Sequence, residues 1–150
     1  MAGGANVNRP YNYQTSGIVS RSNVWFYWDI NNRSSSWGSV YYLYQFITNN
    51  NGIGPKAEEQ KVFKFNCGKP DFIAEVGDIV QIDYEKDGTF DHSIVITDIK
   101  YKDGIYVPYI AGRSGKNSGL SKWFDTYISF STVVKFRNGN SRLLHLTALA

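Results

Sequence analysis

Between residues 37 and 47 the apolar positions Trp37, Val40, Tyr41, Tyr44 and Ile47 recur at intervals of three and four. That spacing lines one face of an α-helix. The serine run Ser34-Ser35-Ser36 stands just ahead, and a serine hydroxyl there can accept a free N–H of the first turn, so the pattern predicts a helix starting at this run. Gly38 weakens the pattern slightly, and the polar run of residues 49–55, which ends in Gly54-Pro55, closes it. A charged stretch follows at 56–61, after which the period shifts towards two, with Phe63 and Phe65 flanking Lys64. Residues 79–84, 93–100, 105–110 and 132–137 are rich in β-branched and aromatic side chains and are predicted as strands. Lys102-Asp103-Gly104 has the composition of a tight hairpin turn. Residues 24–30 fit either a strand or a packed loop, and 120–130 fit a short helix or a turn packing Trp123 and Phe124. Residues 1–22 read as irregular, and 111–119 as a polar, glycine-rich loop. The predicted class is α+β, with an N-terminal helix and loops followed by a meander of four or five antiparallel strands.

Composition narrows the picture only a little. A chain of 150 residues with 42% apolar and 19% charged residues is expected to form a single globular domain. Aromatic residues reach 16%, including eleven tyrosines and four tryptophans. Two readings account for them: strands with half-exposed tyrosines, or a groove that holds an extended ligand. The net charge of +3 comes from scattered residues with no phosphate-binding stripe, so nucleic acid is not an expected partner. Residues 1–14 have no apolar core of the kind a signal peptide needs, and no apolar run is long enough to span a membrane. As written, the chain is expected to carry no export signal and to have no membrane partner.

The segment with most chemical promise is 77–97, where a Gly-Asp turn opens one strand and His92 stands at the mouth of the next. A histidine placed there can reach both solvent and a nucleophile, and imidazole carries protons near neutral pH. The plainer alternative is a strand-end histidine satisfied by backbone. His145, the other histidine, lies in Leu143-Leu144-His145-Leu146 and reads as a structural or tail residue. Cys67, the only cysteine, cannot form an internal disulfide. It follows a β-type segment and does not open a helix, where the dipole would lower its pKa, so a half-buried turn cysteine describes it better than a nucleophile. Asp78, Asp83, Asp91 and Asp98 form no spaced oxygen cage, and the histidines and cysteine have no zinc spacing. No cofactor is expected. The serines include no Gly-x-Ser-x-Gly elbow.

Taken together, several stretches resemble the putative amidase domain family, a bacterial group in the papain-like, NlpC/P60-like class of cysteine hydrolases. The matching stretches are Ala2-Gly3-Gly4-Ala5, the aromatic run Trp25 to Trp28, the tryptophan-containing segment 34–46, the Gly-Asp strand at 77–83, the histidine strand at 91–97 and the polar loop at 111–121. The resemblance covers about residues 1–130 and keeps the family's order. The Gly-Asp and His-Ser pattern also occurs in related papain-like families, and the tryptophan segment ahead of it makes the match more specific.

That resemblance implies a papain-like half-domain and a cysteine-type amidase acting on amide or peptide bonds, with peptidoglycan peptides as the substrate class. His92 aligns with the general base. The family's nucleophile lies in an Asp-Cys-(Thr or Ala)-Asn-Phe motif at the start of its first helix, and Cys67 does not align with it. The expectation is therefore an N-terminally truncated amidase-like domain spanning 1–150, with little activity by itself. For the residue that orients the imidazole the resemblance offers Arg113, Ser114 and Asn117; Asn117 is the first choice, Asp91 a weaker one, and arginine cannot accept the imidazole proton. A missing helix would expose an apolar sheet face through which the chain could self-associate. The alternative function is a non-catalytic module that binds a cell-wall peptide or glycan through its tyrosines and tryptophans, or an interaction fragment. The family is commonly exported from bacterial cells or attached to the wall.

Overall fold

The computed structural model describes residues 17–52, 54–60, 74–113, 123–129 and 140–148. The chain forms two compact units, Met1–Glu58 with Leu146–Ala150, and Glu59–His145. The class is α+β. Among the described residues, no helix is long and apolar enough to cross a membrane.

In the first unit, β1 (Ile18–Val19), β2 (Tyr27–Asp29) and β3 (Asn32–Ser34) form a small sheet in the order β1-β3-β2. β1 runs parallel to β3, and β2 antiparallel to it. A single 3-10 turn, Ser35–Trp37, leads into α1 (Val40–Asn49). The helix therefore starts after Ser39 and not at the serine run. The reason is that those hydroxyls are used elsewhere. Ser34 Oγ accepts the Phe26 N–H at 3.2 Å, Ser36 Oγ donates to the Val24 carbonyl at 3.1 Å, and the two hydroxyls lie 2.7 Å apart. Ser39 caps the helix instead, accepting the Tyr42 N–H at 3.4 Å. The buried side of α1 is Phe46 and Ile47, while Tyr41 of the expected stripe points to solvent. Trp25, buried, stacks between Trp37 and Phe46 with ring centroids 4.5 and 5.0 Å away. The charged stretch that follows is also a strand, β4 (Lys56–Gln60).

In the second unit, β5 (Ile79–Asp83), β6 (His92–Lys102), β7 (Ile105–Arg113) and β8 (Trp123–Ser129) form an antiparallel meander. The last strand, β9 (Asn140–Ala148), returns to pair with the free side of β5. Lys102 faces Ile105 across a two-residue turn in which Asp103 and Gly104 both have positive φ, 52° and 84°. This is the primed geometry that suits the twist of a hairpin. One face of the sheet is the core: Val80 sits between Ile94 and Leu143, and Ile96 opposes Ile110.

Three sequence expectations change here. Residues 123–129 are a strand, whose backbone pairs antiparallel with β7. Residues 111–113, expected to begin a polar loop, continue β7. The stretch 140–148, for which no element was expected, is a strand; without alternation it carries no strand signal, and its pairing with β5 decides the matter. The strand expected at 132–137 lies outside the described residues. Leu143 is fully buried in the core cluster. Leu143→Ala is expected to destabilise the protein by about 2–5 kcal/mol, measured by urea denaturation.

Candidate functional site

His92 is the first residue of β6 and faces Ile82 of β5. Side chains alternate along the strand, so His92 lies on the face of Ile94 and Ile96, at the end of the core. The residue is half-buried, and its Nε2 is closed off from solvent. Two neighbours fix the ring. Tyr84 stacks against it with centroids 6.3 Å apart and an interplanar angle of 27°. On the other adjoining strand, Gly112 brings backbone close: a Cβ at that position would lie 3.5 Å from Nε2 and only 2.6 Å from Cγ2 of Ile94. The expected open, solvent-facing imidazole is therefore a packed one, because β7 runs close beside it where residue 112 has no side chain.

The loop before His92 is held by carboxylates. Asp91 Oδ2 accepts the Tyr84 N–H at 2.9 Å, and the Asp91 N–H donates to the Ile82 carbonyl at 2.8 Å. One oxygen of Asp91 thus serves the backbone of the neighbouring strand end. Asp83, buried, accepts the N–H groups of Lys86 at 2.7 Å and Gly88 at 3.0 Å, which folds the loop between β5 and β6. Arg113 ends β7 and pairs with Trp123 in the ladder. Asn117, Ser114 and Cys67 lie outside the described residues.

Two arrangements were not read from the sequence. Asp78, 2% exposed, holds the turn before β5: its Oδ2 accepts the Glu75 N–H at 2.8 Å. The same carboxylate meets Nδ1 of His145 at 3.1 and 3.2 Å, so of its two expected roles, structural or tail, His145 has the structural one, as partner of a buried acid. The Gly-Asp dipeptide was the available signal, but its partner stands 67 positions away and no local pattern points to it. On the opposite face of β5, buried Gln81 donates to Ser93 Oγ at 3.0 Å and accepts from Arg142 Nε at 2.9 Å and from its terminal nitrogen at 2.6 Å. The guanidinium also lies over the Phe90 ring, 3.9 Å from its centroid. Among the described residues, no three His, Cys, Asp or Glu side chains gather in a way that could hold a metal ion.

Chemically, the His92 arrangement can hold a proton carrier in one orientation at the edge of a rigid sheet. Gly112→Ala is expected to force Ile94 and the His92 ring to shift, at a cost of about 1–3 kcal/mol. Thermal unfolding together with the His92 ring resonances in NMR would register both effects. Asp78→Ala is expected to cost about 1–3 kcal/mol by leaving the Glu75 N–H without its acceptor, with no change at the His92 ring resonances.

Neither the curated proteins nor the solved structures compared with this chain include a significant match. The family described as "Putative amidase domain" does match, over residues 1–135, which takes in the His92 strand, the Gly-Asp turn and the aromatic segment of the first unit. The chain belongs to that family.

Proposed function

We propose that His92 is the general base of a cysteine-type amide hydrolase of the papain-like, NlpC/P60-like kind, acting on peptide amides such as those of peptidoglycan. The observation that carries this reading is the seating of the imidazole at the mouth of β6, with Tyr84 against one side and the bare backbone of Gly112 beside Nε2. A base must be held in one orientation to take a proton from a nucleophile and return it to a leaving group.

In this mechanism a cysteine sulfur attacks the amide carbonyl carbon while His92 takes the thiol proton. The tetrahedral intermediate collapses with loss of the amine, which receives that proton from His92, and water then releases the acyl group from sulfur. Asn117 is the residue assigned to orient the imidazole. The sole cysteine of the sequence, Cys67, stands in Asn66-Cys67-Gly68 and not in the Asp-Cys-x-Asn-Phe context of the family nucleophile. The 150 residues alone are accordingly expected to turn over little substrate.

The test is labelling with an amide-directed, thiol-reactive electrophile, run on this chain and on a version carrying the Asp-Cys-x-Asn-Phe helix ahead of residue 1. Labelling of the longer protein only, slowed by about 10²-fold or more in His92→Ala, is the expected result. Rapid, His92-dependent labelling of Cys67 in the present chain would overturn the assignment of the nucleophile. Undiminished labelling in His92→Ala would remove His92 from the chemistry.

A further inference from the structure

The first unit carries a cluster that the reaction at His92 does not use. Tyr27 and Arg33 face each other across the β2–β3 pair, so their side chains share one side of the small sheet. Trp37, at the end of the 3-10 turn, closes over Tyr27 with ring centroids 5.5 Å apart and the planes at 59°. The guanidinium of Arg33 lies along the same turn: a Cβ on Gly38 would be 3.2 Å from its nearest nitrogen. Tyr27 and Trp37 are each 37% exposed, although Trp37 is held from behind by buried Trp25, which rests on Phe46. Arg33 makes no ion pair among the described residues. Asp29, the next acid along β2, turns Oδ1 to the Asn31 N–H at 2.7 Å.

We propose that Tyr27, Trp37 and Arg33 form a binding site for a pyranose sugar bearing a carboxylate. The rings supply the apolar contact. Tilted at 59°, they cannot both stack on one flat ligand, whereas a saturated chair presents C–H groups to both planes. The guanidinium, lying beside the turn that carries Trp37 and without an acidic partner among the described residues, supplies a forked donor for a carboxylate. The column Trp37-Trp25-Phe46 keeps the exposed indole rigid, so little side-chain entropy is lost on binding.

A matched pair of sugars tests this: N-acetylmuramic acid and N-acetylglucosamine share the pyranose ring and the acetamide, and the first adds a lactyl carboxylate. Each is titrated into the full chain and followed by tryptophan fluorescence and by NMR. The acid is expected to bind about tenfold more tightly than the neutral sugar, with the preference shrinking as salt is raised. Arg33→Gln should remove that preference, and Tyr27→Ser should weaken both sugars, with thermal melts confirming that each variant is folded. Equal affinity of the two sugars for the unaltered protein, or no binding of either, overturns the proposal without reliance on any variant. Equal or tighter binding of benzoate, a flat aromatic carboxylate, overturns the sugar assignment. Because binding is read and not turnover, failure here leaves the role of His92 untouched, and failure of that role leaves this site standing.

Discussion

Val80 to Asp83 of β5 are buried without a break, on both faces of the strand, and this constraint shapes most of the second unit. A strand so enclosed must find partners for every polar group it carries, because an unmet one loses its hydration with nothing in return. Gln81 is met by Ser93 and Arg142 on the two flanking strands. Asp83, at the strand's end, is met by two N–H groups of the following loop, and Asp78, just ahead of its start, by Glu75 and His145. Three polar side chains thus fix a turn, a loop and the register of two neighbours. The position of His92 follows from the same requirement, since the loop that Asp83 folds delivers the chain to the first residue of β6.

The elements with strong local signals were legible in the sequence. The β5, β6 and β7 strands and the Asp103-Gly104 turn follow from β-branched runs and from glycine at a positive φ. The helix was legible in kind but not in its start, because Ser34 and Ser36 have two possible employments and only the folded chain shows that the backbone of Val24 and Phe26 takes them. β9 was hidden for a different reason. Its two central leucines interrupt any alternation, since Leu143 and Leu144 are adjacent and buried on opposite faces, so the period-two signal of a half-buried strand is missing.

The placement of His92 in the fold was legible in the sequence, and its setting was not. The position of His92 at a strand mouth follows from Asp91-His92-Ser93 after a turn. The shelter of its Nε2 does not, because that depends on Gly112, which sequence placed in a loop and the fold places in β7. The Asp78–His145 pair was invisible for the same reason of distance. It also ties the Gly-Asp turn of the family segment to a strand beyond residue 135, where the family match ends.

The way β5 acquires its two neighbours has a consequence for the order in which the sheet assembles. Gln81 and Ser93 are 12 positions apart, whereas Gln81 and Arg142 are 61 apart. Loop-closure entropy favours the short connection, so the β5–β6 hairpin forms early and β9 arrives as a late, long-range closure. Until it does, one hydrogen-bonding edge of an apolar strand stands open to any other extended chain. The docking of β9 therefore sets the interval during which a folding molecule can be captured by its neighbours, and slow closure of that seam turns productive folding into aggregation.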